Sequence, residues 1–115
     1  MNLVVDIGNT LIKVAVVERD EVVYMQQAES IEEVDLVTLC ERFRSLRRAI
    51  VASTAFPTAD VAVLLRDKGF DVLEMTSLTP VPIGNTYQSP ETLGVDRLAA
   101  AVAAVEVMGC RDCLV

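Results

Sequence analysis

The sequence predicts an α/β domain built on a mixed β-sheet, with elements in the order β-β-β-α-β-α-β and helices flanking the sheet. Three observations carry this. Short β-branched runs near the N-terminus are separated by compact polar turns, the pattern of an antiparallel meander. From residue 30 onward, helical segments alternate with buried-strand runs, which implies a parallel extension of the same sheet. Of the 115 residues, 52% are hydrophobic, enough to give one domain an ordinary buried core.

The elements follow in order. Leu3-Val4-Val5 is the first strand and runs into Asp6-Ile7-Gly8-Asn9-Thr10. The β pattern resumes over residues 11–17, so the Gly-Asn pair reads as a hairpin turn. Glu18-Arg19-Asp20-Glu21 is a second turn and Val22-Val23-Tyr24-Met25 a third strand. A helix is expected to open at Ser30, with Ser30 as N-cap and Glu33 completing a capping box. Its apolar face is Val34, Leu36, Val37, Leu39, Cys40 and Phe43, and Arg42, Arg44, Arg47 and Arg48 load its C-terminal end, where positive charge suits the helix dipole. Ala49-Ile50-Val51-Ala52-Ser53 is a buried strand. Pro57 starts a helix over residues 58–68 that Gly69 ends, and Phe70-Asp71-Val72-Leu73 is the next strand.

Residues 76–90 hold Pro80, Pro82 and Pro90 with Gly84 and Asn85, so this segment is extended or looped. Residues 98–105 are nearly all apolar and form an Ala-rich helix, with Gly109 as its stop. Small residues on most of its faces predict tight packing on both sides. Cys113-Leu114-Val115 reads as the start of a further strand, so the chain is expected to be a fragment.

Charge and composition exclude several functions. A net charge of −7 disfavours non-specific nucleic-acid binding, which needs Lys and Arg to neutralise phosphates. With no histidine, the chain holds neither a Ser-His-Asp triad nor a His-ligated metal. Cys110 and Cys113 are spaced as C-x-x-C, but the pair lies after a helix end and has no second pair, so it reads as structural rather than redox-active or zinc-binding. No basic leader precedes the first strand, and no apolar run approaches the ~20 residues that span a bilayer. A cytoplasmic protein is expected, with no membrane partner.

Asp6-Ile7-Gly8-Asn9-Thr10 is the most informative segment. Asp6 emerges where a buried strand ends, and Gly8 lets the backbone turn sharply and approach a ligand. The turn's N–H groups, the Asn9 amide and the Thr10 hydroxyl are suited to phosphate oxygens, with Lys13 in reach of a terminal phosphate. Asp6 is suited to hold Mg²⁺ through water, because Mg²⁺ dehydrates reluctantly. This is neither a Walker loop nor G-x-G-x-x-G. In its β-β-β-α-β-α-β setting, the segment resembles the first phosphate motif of the superfamily of actin, the 70-kDa heat-shock ATPases and the sugar and acetate kinases.

A second motif narrows the resemblance. Residues 87–101, with Gly94-Val95-Asp96-Arg97 at their centre, are similar to the G-x-D-R region of type III pantothenate kinases, and Pro80-Val81-Pro82-Ile83-Gly84-Asn85 fits the same family. The resemblance implies a fold of the actin-like ATPase (ribonuclease H-like) type and ATP-dependent phosphorylation of pantothenate, the first step of coenzyme A biosynthesis. Carried over by position, it implies ATP binding by Asp6, Ile7, Gly8, Asn9, Thr10, Leu11, Ile12 and Lys13. It makes Asp96 the catalytic base, and lines the pantothenate pocket with Tyr87, Gly94, Val95, Asp96 and Arg97. It further implies Mg²⁺, a monovalent cation (K⁺ or NH₄⁺) whose protein ligand lies beyond this chain, and a homodimer. The family's enzymes are about twice as long. Residues 1–115 are thus expected to be a single N-terminal ATPase-like lobe, inactive without its absent second lobe, with 76–97 as substrate-site loop and 98–108 as the Ala-rich helix. Two alternatives stay open on sequence: a non-catalytic nucleotide-binding or accessory module that kept the lobe, and a sugar kinase of the same superfamily.

Overall fold

The computed structural model describes every residue except Phe56, Cys113 and Val115. The chain divides into two compact units, Met1–Glu74 and Met75–Val115. The terminal strand expected at residues 113–115, and the second thiol of the C-x-x-C pair, fall on Cys113 and Val115, outside the described residues.

The first unit is a five-stranded sheet in the order β3-β2-β1-β4-β5. The strands are β1 (Asn2–Ile7), β2 (Ile12–Glu18), β3 (Glu21–Ala28), β4 (Arg48–Ser53) and β5 (Asp71–Glu74). β1 pairs antiparallel with β2, and β2 with β3; β1 and β4, and β4 and β5, pair in parallel. The predicted mixed α/β sheet is therefore present. The meander closes through tight turns, while the parallel pairs need helical crossovers to bring the chain back to the same end.

Period-2 alternation decides which face is covered. In β1, Leu3 and Val5 are fully buried and Ile7 nearly so. The register sets Leu3 beside Val16 and Ala49, and Val5 beside Val14 and Val51, so one continuous apolar layer crosses three strands. Helices α1 (Leu36–Arg42) and α2 (Ala59–Asp67) join that layer through Leu36, Leu39, Val61 and Leu65. A slip of one residue in β1 would expose all of it, so burial itself fixes the register. The alternate face carries Met25, Ala15, Val4, Ile50 and Leu73 in a row across the five strands, and Asp6 lies on that face too.

The first helix departs from expectation. Ser30 opens a single 3₁₀ turn, Ile31–Glu33, and makes no side-chain cap bond. The Glu33 carboxylate instead accepts the Glu29 N–H at 3.0 Å. The α-helix begins at Leu36, where Asp35 is the N-cap and accepts both the Thr38 N–H (3.0 Å) and the Thr38 hydroxyl (2.7 Å). Asp35 outcompetes Ser30 because its two oxygens hold two donors at once. α1 ends at Arg42, so Arg44, Arg47 and Arg48 are not a helix end; Arg48 opens β4. Arg42 stacks over the Phe43 and Tyr24 rings at 5.0 and 5.6 Å, a cation–π arrangement between α1 and β3.

α2 ends as its sequence predicts. Gly69 has φ +92°, and its N–H donates to Arg66 O while the Phe70 N–H donates to Leu65 O. This is a Schellman stop, with buried Phe70 as its apolar anchor. Glu74 at the end of β5 accepts from Thr58 Oγ1 (2.8 Å) and pairs with Arg66 (3.0 Å), tying the last strand to both ends of α2.

In the second unit, Ser77 Oγ donates to Glu91 O at 3.2 Å, drawing together the ends of the proline-containing loop. A 3₁₀ turn, Pro90–Thr92, precedes α3 (Val95–Glu106). α3 starts three residues before the Ala-rich run, with Gly94 as N-cap. Val95, Leu98 and Ala104 are buried, whereas Ala99, Ala100 and Ala103 are exposed. Gly109, at φ +67°, lets the Cys110 N–H fold back onto Ala104 O. No helix among the described residues is long and apolar enough to cross a membrane.

Two measurements test this account. A Cβ at Gly69 meets nothing within 4 Å, so Gly69→Ala tests backbone conformation alone. It is expected to cost roughly 1–2 kcal/mol in urea unfolding; an unchanged midpoint would mean that the stop does not hold α2. Hydrogen bonding to Thr58, and then to Arg66, lowers the Glu74 pKa below its ordinary 4.5. The unfolded chain then binds the proton more readily. Stability from Glu74 is thus fully present above about pH 4.5 and is lost as pH falls through the lowered folded value. Glu74→Gln is expected to be less stable at neutral pH and to lose less on acidification, as read by thermal melts across pH 3–7.

Candidate functional site

The Gly-Asn hairpin turn closes on the Ile7–Ile12 pair. Within it, the Gly8 N–H donates to Leu11 O at 3.0 Å. A Cβ on Gly8 would lie 3.1 Å from the same oxygen, so glycine keeps this turn tight. The Gly8 amide is thereby spent inside the turn. Asn9 and Thr10 are exposed, and their amides, the Asn9 carboxamide and the Thr10 hydroxyl are the donors left to meet a ligand. This narrows the donor set that the sequence suggested.

The turn forms one wall of a cleft of about 230 Å³. Residues 7–12 line it together with Glu29, Ser30, Ile31, Glu32, Pro57, Asp60 and Val61. Asp6 and Lys13 do not. They face each other across the β1–β2 register, with Ala52 of β4 on the other side of Asp6, on the sheet face opposite α1 and α2. They form no ion pair; among the described residues the one such pair is Arg66–Glu74. The structure thus gathers the loop's backbone in one place and its two charged residues beside it. Ser53 closes the β4 side: the Thr54 N–H donates to Ile7 O, and Ser53 Oγ accepts from the Ala55 N–H.

Glu29, Glu32 and Asp60 escaped the sequence reading. Asp60 had a local signal, an acid in the first turn of a helix, but that points to the dipole rather than to a cleft. Only the tertiary fold brings Glu29 and Glu32 to the turn. Three carboxylates beside a phosphate-sized cleft repel an anion unless a cation accompanies it. No group of three or more Asp, Glu or Cys that could hold a metal occurs among the described residues. The exposed donors of the turn and the adjacent carboxylate and ammonium groups fit a Mg²⁺-bound polyphosphate.

The other predicted residues lie in the second unit. Tyr87 is half exposed, and its N–H donates to Asn85 Oδ1 at 3.0 Å, which fixes the backbone before it. Ser89 and Thr92 hold the 3₁₀ turn through their hydroxyls and the Thr92 N–H. Val95 is buried, so its side chain serves packing. Asp96 and Arg97 are exposed in the first turn of α3. Asp96 Oδ1 accepts the Arg97 N–H at 2.9 Å, and Oδ2 has no hydrogen-bond partner among the described residues. One carboxylate oxygen is thus anchored on the backbone and the other is not.

A protein-family model described as type III pantothenate kinase matches residues 2–115. The chain belongs to the type III pantothenate kinase family. Curated proteins of that name are similar to it from end to end. One from Phocaeicola vulgatus is 38% identical over 115 residues, covering all of this chain and 47% of the relative. One from Bacteroides fragilis is 42% identical over 118 aligned positions, again all of this chain and 47% of the relative. One from Christiangramia forsetii is 32% identical over a similar span. The chain spans about half the length of these pantothenate kinases, and both sequence motifs fall inside the matched region.

Because the atom crowding a Cβ at Gly8 is backbone, it has no rotamer by which to move away. Gly8→Ala is expected to lengthen the residue 8 to Leu11 hydrogen bond and to speed amide exchange at residue 8, measured by hydrogen–deuterium exchange with NMR detection. Unchanged exchange would mean that the turn yields freely and that glycine is not needed for its shape.

Proposed function

We propose that the natural gene product containing this chain transfers the γ-phosphoryl group of ATP to the primary hydroxyl of pantothenate, the first step of coenzyme A biosynthesis. The observation that carries this reading is the family match over residues 2–115, which includes both the Asp6 turn and the Asp96 segment. ATP with Mg²⁺ supplies the activated phosphoryl group; the residues of this chain bind, orient and move a proton.

The geometry of each unit is compatible with the roles that the family resemblance implies. The amides of Asn9 and Thr10 and the Thr10 hydroxyl donate to phosphate oxygens, while Ile7, Gly8, Leu11 and Ile12 hold the turn that presents them. Lys13 contributes positive charge to the terminal phosphate, and Asp6 holds Mg²⁺ through water. Asp96 Oδ2 accepts the proton of the attacking hydroxyl. Phosphoryl transfer demands mainly positioning and charge stabilisation, with one carboxylate near the nucleophile. Arg97 has no ion-pair partner among the described residues, and a guanidinium is suited to pair with a carboxylate such as the one pantothenate carries. Tyr87 and the backbone of Gly94 and Val95 complete the acceptor pocket. The reading extends to a homodimer in the cytoplasm and to a K⁺ or NH₄⁺ ion held by residues beyond this chain.

The test is ADP formation by the natural gene product, with and without pantothenate, with Mg²⁺ and K⁺ present, beside its Asp96→Asn variant. Pantothenate-dependent turnover is expected, reduced about 10²–10⁴-fold in the variant, the usual contribution of general-base catalysis. ATP binding without turnover would replace the kinase by the accessory-module reading, and turnover with a hexose alone would point to a sugar kinase.

A further inference from the structure

Resting on that reading, we propose that Gly94 is a positioning residue: its missing Cβ leaves the space in which the Asp96 carboxylate anchors on the Arg97 amide. A Cβ built on Gly94 would lie 2.6 Å from Asp96 Oδ1, closer than carbon and oxygen approach without bonding. That same oxygen is the one that accepts the Arg97 N–H at 2.9 Å. The carboxylate folds back over the helix N-terminus into the volume a side chain at residue 94 would occupy. Arg97 N–H is one of the first-turn donors that has no partner within the helix, so anchoring satisfies it and fixes the carboxylate's direction together.

The backbone does not require glycine here. Gly94 has φ −58° and ψ 134°, a region open to every L-residue. Its carbonyl accepts the Leu98 N–H at 3.1 Å as any N-cap carbonyl does. Apart from Asp96, no atom beyond its chain neighbours lies within 4 Å of the added Cβ. An alanine at this position therefore leaves the helix start in place, and the whole conflict falls on a carboxylate that can rotate. Gly94 differs in this from Gly8, where the crowded atom is backbone, and from Gly69 and Gly109, where positive φ selects glycine.

The consequence is a separation of effects. Gly94→Ala swings the Asp96 carboxylate off its anchor and away from the direction that serves the acceptor hydroxyl, while the turn that binds ATP is untouched. Misplacing a reacting group by about 1 Å costs up to about 10²-fold in rate.

The experiment uses the natural gene product with Gly94→Ala, Asp96→Asn and the double variant, and adds Gly94→Ser, whose hydroxyl caps the helix should alanine fold poorly. Expected for Gly94→Ala is a kcat lowered about 10- to 100-fold, with the KM for ATP unchanged. The double variant is expected to lose no more than Asp96→Asn alone, because Gly94 acts only through that carboxylate. A crystal structure of the Gly94→Ala variant is expected to show Asp96 Oδ1 beyond about 3.5 Å from the Arg97 nitrogen. An unchanged kcat, a raised pantothenate KM with kcat preserved, or a double variant worse than Asp96→Asn would each overturn the inference. Should the unmutated protein not use pantothenate, the proposed function fails, and the crystal structure still decides the geometry: an Asp96 carboxylate that stays anchored on the Arg97 amide in the Gly94→Ala variant overturns it.

Discussion

The pairing of β1 on both edges is the constraint on which the first unit depends. β1 bonds antiparallel to β2 and parallel to β4, and its alternate residues Leu3, Val5 and Ile7 form the centre of the buried layer. A strand held this way has no register freedom. Its last residue delivers the chain to Gly8 at a fixed height, and its Asp6 lies beside Lys13 on the face opposite Leu3, Val5 and Ile7. The geometry of the Gly8 turn is thus a product of hydrophobic burial just upstream of it.

Two glycines in this chain act on neighbouring atoms rather than on their own backbone angles. Gly8 allows a carbonyl to approach, and Gly94 allows a carboxylate to do so. The first is a matter of turn shape and the second of side-chain direction, though both appear in sequence as a glycine near an acidic residue. Composition and spacing do not separate them, because the discriminating fact is which atom occupies the missing Cβ's volume.

Electrostatics gives the cleft a character that its sequence motif alone does not suggest. A phosphate-suited turn faces Glu29, Glu32 and Asp60, and the chain as a whole is acidic. Such a site discriminates against free anions and favours an anion that arrives with its cation. Arg42 is engaged with the Tyr24 and Phe43 rings, and neither it nor Arg44 or Arg47 lines the cleft.

What the sequence determined by itself was local and periodic. Alternating β-branched residues set the strands, the order of elements set a mixed sheet, and Gly69 and Gly109 stopped their helices because only glycine adopts the left-handed backbone there without strain. Residues 6–13 were legible as a candidate site segment from the acid, glycine, amide and hydroxyl of the first turn, and residues 80–101 through their resemblance to type III pantothenate kinases. The start of α1 was not legible, since Ser30 and Asp35 are both good caps in sequence and only the folded chain shows Asp35 holding both the Thr38 N–H and its hydroxyl. Nor were the long-range facts that Glu29 and Glu32, after β3, and Asp60, on α2, meet at the Gly8 turn to wall one cleft. These depend on positions in three dimensions of atoms whose sequence neighbours carry no trace of them, so tertiary structure alone decided them.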